Sequence, residues 1–226
     1  MPRHPSDTAT APSGLDVLYA DEHLLVLNKP SGLLSVPGRG EDKQDCLSRR
    51  VQTQYPDALI VHRLDMATSG LMLMARSLVM QRALSQLFER RDVDKRYTAV
   101  VDGRLAPAAS ADGWGLIDLS IAVDWERRPL RIIDAALGKP SQTRWRVLAF
   151  DEATHSTRVE LAPLTGRSHQ LRVHLQALGH PMLGDALYAP EPVQAKAPRL
   201  LLHACALAFT HPATGERLSL ESAPGF

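Results

Sequence analysis

The chain has 226 residues, 44% of them hydrophobic, and carries a net charge of +1 at neutral pH. That composition supports one large or two small globular domains, and no apolar run approaches the roughly 18 residues a membrane helix needs. Its two cysteines, Cys46 and Cys205, lack the CxxC spacing of a zinc or thiol-redox site, and the near-neutral charge points to no partner by itself.

Residues 1–14 are rich in Pro, Ser, Thr and Ala and lack the apolar segment of a secretory signal, so they are expected to form a flexible tail. Without a signal, a reducing, cytoplasmic setting is the expectation. No composition break or repeat divides residues 15–226, which are expected to form a single domain.

Residues 15–27 spell two short strands, LDVLYA and HLLVLN, about Asp21 and Glu22. A loop follows, NKPSGLLSVPGRG, punctuated by Pro30, Gly32, Pro37, Gly38 and Gly40. The stretch 45–54 predicts a helix capped by Asp45 and stopped before Pro56. Two apolar runs, 58–61 and 71–75, flank a short turn that carries Arg63 and Asp65. From 77 to 91 the helical spacing of Met80, Ala83, Leu84, Leu87 and Phe88 predicts a core-facing helix. Strands are predicted over 95–103, 142–150 and 157–162. The turn Leu164-Thr165-Gly166 leads into a helix beginning near Ser168, with Leu171, Leu175 and Leu178 on one face and Gly179 as its left-handed C-terminal cap. A final hairpin, ALAFTHP and RLSLES, closes about residues 213–215. Strands outnumber helices and mostly connect as hairpins. The predicted class is therefore α+β, with a mixed, largely antiparallel sheet flanked by helices and loops.

Among the side chains that could carry chemistry, Asp65 comes first. A lone aspartate in a turn is commonly just a turn residue. Here Arg63 stands two residues away, and a second turn, TGRSHQLRVH, brings Arg167 to the start of a helix. A carboxylate in a dry pocket needs a nearby cation to stay ionised, and either arginine could supply it. Tyr97, in DKRYTAV, is either a core residue of its strand or a phenol able to exchange a proton or stack on a base. Arginine makes up 21 of the 26 basic residues, and its planar donor fork suits phosphate and base faces, although an arginine-rich genome would give the same count. His169 and His174 lack the HExxH pattern of a zinc helix, Gly38-Arg39-Gly40 is no dinucleotide or phosphate loop, and there is no GxSxG elbow. No metal and no cofactor are called for.

Taken in order, NKPSGLLSVPG (28–38), HRLDMATSG (62–70), KRYTA (95–99), GKPSQT (138–143), LTGRSHQLRVH (164–174), GHPMLGD (179–185) and RLLLHA (199–204) resemble the RluA-type pseudouridine synthases over nearly the whole chain. The resemblance implies a pseudouridine synthase catalytic domain over 15–226, without the S4-like RNA-binding domain of larger relatives. It implies isomerisation of a uridine within RNA, with no cofactor: the glycosidic bond breaks, the uracil turns over, and carbon 5 rejoins the sugar. Asp65 would attack the anomeric carbon or assist proton removal from the sugar. Tyr97 would stack near the uracil and take the carbon-5 proton, and Arg167 would pair with the carboxylate. Arg63 would enter the space left by the flipped nucleotide. Leu201, with Leu200 as its rival, would line the uracil pocket, and His62 is placed with these among the substrate-binding residues. The wording of the motifs is closest to members acting on both 23S ribosomal RNA and transfer RNA, which implies stem-loops of those RNAs as partners, no membrane, and a monomer. Two other readings fit the residues less fully: an N-glycosidase acting on RNA, and a non-catalytic RNA-binding module.

Overall fold

The computed structural model describes residues 14–226, so the tail expected over 1–14 lies outside the described residues except for Gly14. The chain opens with an antiparallel hairpin, β1 (Val17–Ala20) and β2 (Leu24–Lys29). Asp21 closes it, its Oδ1 accepting the backbone N–H of His23 and Leu24 at 2.7 Å each. β2 pairs with β4 (Ser69–Ala75), whose seven residues are all buried. Leu71, Leu73 and Ala75 enter one apolar cluster, while Met72 and Met74 enter another on the opposite face. Burial on both faces explains why this strand reads as an unbroken apolar run rather than an alternating one. α1 (Leu47–Gln54) covers one side through Leu47 and Val51, and α2 (Leu78–Arg90) covers the other through Met80 and Leu84.

The remaining strands extend this sheet. β5 (Asp94–Asp102), β6 (Gly115–Asp118), β9 (Gln142–Asp151), β10 (Ser156–Pro163) and β11 (Leu202–Thr210) give the order β1-β2-β4-β11-β5-β10-β9-β6. β3 (Leu59–Ile60) pairs with β4, and β12 (Arg217–Glu221) pairs with β11. The start of β11 runs parallel to β4, and every other strand pair in this sheet is antiparallel. At that parallel junction Gly70, at φ +110°, faces the backbone of Ala204 so closely that a Cβ would lie 2.3 Å from its carbonyl oxygen. The glycine of HRLDMATSG is therefore what lets the two halves of the sheet meet. The predicted mixed, largely antiparallel α+β fold is the one observed.

α3 (Gln170–Ala177) packs Leu171 and Leu175 against the Ala99, Val159 and Leu161 side chains of the sheet. Gly179 follows it at φ +83°, the left-handed cap expected, but Leu178 is 37% exposed rather than part of the buried face. The outer side of α3 is covered by a separate two-stranded ribbon, β7 (Ile121–Val123) and β8 (Arg131–Ile133), through Ile121, Ile133 and Leu130 against Val173 and Tyr188. This ribbon, β6 and the short α4 (Glu191–Gln194) were not predicted, because runs of three or four residues are too short to show a period. The Asp45 cap is also corrected: Cys46 takes the N-cap position, and the Asp45 carboxylate pairs instead with Arg50 at 2.6 Å.

Candidate active site

The turn between β3 and β4 holds Asp65, and the loop after β2 grips that turn from both sides. Ser35 Oγ donates to the Leu64 carbonyl at 2.7 Å and accepts the Leu64 N–H at 3.1 Å. Ser31 Oγ donates to the Ala67 carbonyl at 2.7 Å, and the Met66 carbonyl accepts from Gly32 N–H at 2.8 Å. Lys29 is fully buried, and its Nζ donates to the carbonyls of Pro30, Leu33 and Met66 at 2.8, 2.8 and 3.1 Å. Burial pushes this ammonium down to about 8, with the charge of Asp65 pulling the other way. The NKPSGLLS motif thus serves as a clamp that fixes the backbone on each side of Asp65.

The Asp65 side chain is 30% exposed and lines a cavity of about 130 Å³ with Tyr97, Lys95, His169, Arg172 and Leu202. The cation it faces is Arg172, whose Nη1 lies 3.6 Å from Asp65 Oδ2. This corrects the expectation for Arg167. The Arg167 guanidinium lines the cavity but, among the described residues, hydrogen-bonds only the Pro140 carbonyl, at 3.5 Å, and is exposed. Arg172 lies one turn into α3, on a helix whose residues 170–175 are all buried, so its side chain is directed inward where an amphipathic helix would turn it to solvent. There it donates to Asp185 from Nε at 2.8 Å and from Nη2 at 2.5 Å, and the two side chains are only 4% and 0% exposed. Burial works against the Arg172 charge, but the hydrogen bonds and charge of Asp185, with Asp65 behind them, hold its pKa above the ordinary value.

His169 is the second group on the carboxylate, with Nε2 3.9 Å from Asp65 Oδ2. Its Nδ1 meets the Tyr188 hydroxyl at 2.6 Å, and that hydroxyl accepts the Arg131 N–H of β8 at 3.0 Å. Among the described residues Nδ1 is the acceptor within reach of the Tyr188 O–H, so Nδ1 accepts and the ring proton sits on Nε2, toward Asp65. Burial pushes the imidazole pKa down, against the opposing pull of Asp65. Tyr97 enters the cavity from β5. Burial first, and then the charge of Asp65, raise its phenol well above the usual range, so it stands protonated.

The cavity shares Arg63, Asp65 and Tyr97 with a wider groove of about 800 Å³. Arg63, Arg91, Lys95, Arg131 and Arg167 line that groove against two carboxylates, Asp65 and Glu89. His62 also lines it, where its Nε2 accepts the Leu73 N–H at 2.9 Å and its ring stacks on Phe88 at 4.4 Å between centroids. Burial, and then Lys95, push this imidazole down to about 3. The two leucine expectations are corrected. Leu201 packs on the other side of the sheet with Val100 and Leu183, and Leu200 is buried in the core without reaching this cavity. Leu202 is the leucine of RLLLHA that lines it, because neighbouring residues of a strand point to opposite faces. Arg172, His169, Lys95 and Lys29 were missed as site residues. The available signals were the spacing of three between His169, at the N-cap of α3, and Arg172 within the helix, and the carboxylate of GHPMLGD, which needed a buried cation.

A family described as RNA pseudouridylate synthase matches residues 23–177. The chain is 49% identical over 212 residues to the dual-specificity RNA pseudouridine synthase RluA of Escherichia coli O6:H1, covering 94% of each chain. It is 49% identical over 199 residues to the protein of the same name from Yersinia pestis, covering 88% of this chain and 94% of the relative. Among solved structures, human RNA pseudouridylate synthase domain containing 1 superposes with a TM-score of 0.76 at 29% identity, over 93% of this chain and 84% of that one. The human domain containing 4 protein gives 0.71 at 26% identity, over 92% and 88%. Since the sequence match runs from β2 through α3, across the elements that carry Asp65, Tyr97 and Arg172, the chain belongs to the RNA pseudouridylate synthase family.

Proposed function

We propose that this chain isomerises uridine to pseudouridine within RNA stem-loops, with Asp65 as the catalytic carboxylate. The observation that carries the reading is the juxtaposition of Asp65 and the buried Arg172 at the floor of a groove lined by five cationic side chains. The cations suit a phosphate backbone running along the groove, and the cavity beneath receives a base only if the nucleotide leaves its stack. Arg172 and His169 both face Oδ2, leaving Oδ1 to the ribose of the extruded uridine, where it attacks the anomeric carbon or assists proton removal from the sugar. Leu202 and Tyr97 flank the freed uracil as it turns. Tyr97, protonated at rest, takes the carbon-5 proton after the new bond forms only as it passes its own phenolic proton to the neighbouring Asp65 carboxylate, which is freed by then. Arg63, exposed at the mouth shared by cavity and groove, fills the gap in the RNA stack. Arg167 contacts the RNA rather than the carboxylate.

The bacterial relatives are named as dual-specificity enzymes. We extend that breadth to this chain, with 23S ribosomal RNA and the anticodon stem-loop of transfer RNA as substrates met in the cytoplasm by a monomer consisting of one catalytic domain over 15–226. Tritium release from RNA carrying uridine labelled at carbon 5 tests the reaction. Wild type should release tritium without loss of RNA mass, and Asp65→Asn should release none while still binding RNA. Free uracil and abasic RNA in the product would identify an N-glycosidase instead.

A further inference from the structure

The tip of the β7–β8 ribbon, residues 124–130, carries an aromatic side chain in an unusual setting. Trp125 is 69% exposed and is the one aromatic among the strongly exposed large hydrophobic residues described. Leaving an indole in water forfeits burial that a tryptophan ordinarily obtains, so its surroundings matter. The guanidinium carbon of Arg128 lies 3.8 Å from the ring centroid, a cation–π contact that covers part of the ring and leaves most of it bare.

The tip is built rigidly. Asp124 is buried, and its carboxylate accepts the Arg127 N–H at 3.0 Å and Nε at 2.8 Å. The Asp124 N–H donates to the Leu130 carbonyl at 3.1 Å, and the Leu130 N–H to the Arg127 carbonyl at 3.0 Å. Its base is tied to the catalytic centre, since Arg131 N–H reaches Tyr188 and Tyr188 reaches His169. Pro129 and Arg131 line the same groove as Asp65, so the tip projects from the groove's own wall.

We propose that Trp125, backed by Arg128, is a stacking platform for an unpaired base of the RNA loop that carries the target uridine, and that it contributes to choice of substrate. The inference rests on the RNA reading above. An indole presents a flat π-face to any base, and a preorganised platform spends little entropy on ordering. Ejecting one nucleotide from a loop leaves its neighbours without a stacking partner, and a platform on the groove wall is placed to receive one.

The test is steady-state tritium release from a stem-loop, together with tryptophan fluorescence during titration with the same RNA. Trp125→Ala should raise KM about tenfold, inside the roughly 5- to 150-fold span of base–aromatic stacking, with a much smaller change in kcat. Trp125→Tyr should recover most of the loss. RNA should quench wild-type fluorescence, and Trp125→Phe should lack that quenching while melting like wild type. Unchanged KM in Trp125→Ala, or equal quenching in wild type and Trp125→Phe, would overturn the proposal. If the alanine variant fails to fold, the phenylalanine variant still decides it by fluorescence. Absence of tritium release from wild type would instead sink the functional reading.

Discussion

Replacing Arg172 with methionine separates its two tasks. The substitution keeps an unbranched side chain but leaves Asp185, which is 0% exposed, with only the backbone N–H groups of Leu187 and Tyr188, at 2.9 and 3.2 Å, as partners among the described residues. Removing one partner of a buried ion pair costs about 3–5 kcal/mol. For a chain of this size each kcal/mol lowers the melting temperature by about 2–4 °C, so a fall of roughly 6–20 °C is expected in a calorimetric or fluorescence melt. Pairing the change with Asp185→Leu removes the stranded charge as well, and most of the lost stability should return. Activity should not return, because Asp65 still lacks its guanidinium. By analogy with deletion of a single preorganised charge-stabilising donor, tritium release should stay down by about 100-fold or more in kcat/KM. Arg167→Gln is the contrast. It should melt within about 0.5 kcal/mol of wild type and lose affinity for RNA in a salt-dependent way. Recovery of full activity in the double variant would refute the role given to Arg172. So would an Arg167→Gln enzyme as inactive as Arg172→Met.

Two further outcomes follow from buried titratable groups. Holding Lys29 charged with a pKa near 8 against 10.5 in the open chain costs about 3 kcal/mol, an amount comparable to what its three carbonyl contacts return. Lys29→Met should therefore move the melting temperature by only a few degrees while lowering kcat about tenfold through a loosened Asp65 turn; a large loss of stability with normal kcat would contradict this. His62 has a folded pKa near 3 against 6.5, so the unfolded state binds its proton first, and stability drains away as pH falls from about 6.5 toward 3. The slope is at most about 1.4 kcal/mol per pH unit, reduced by the ring's partial exposure. Urea titrations of His62→Gln, whose amide oxygen can still accept the Leu73 N–H, should show a flatter acid limb than wild type, and identical limbs would refute the assignment.

What the order of amino acids determined by itself was whatever rests on neighbours in the chain. The helical spacing of Met80, Leu84 and Leu87, the apolar runs that became β2 and β4, and the Gly179 cap are local patterns, and each was legible. The turn bearing Asp65 was also legible, as a polar island between two apolar runs. Tertiary structure decided which distant group meets it. Arg167 and Arg172 lie five residues apart on one motif, and only burial of α3 on nearly every side, with Asp185 waiting beneath it, turns the second inward and leaves the first outside. A one-residue change of strand phase likewise moved the pocket leucine from Leu201 to Leu202. Hydrophobic periodicity records which face of an element is buried, whereas the pairing of charges depends on separations in space that sequence distance does not encode.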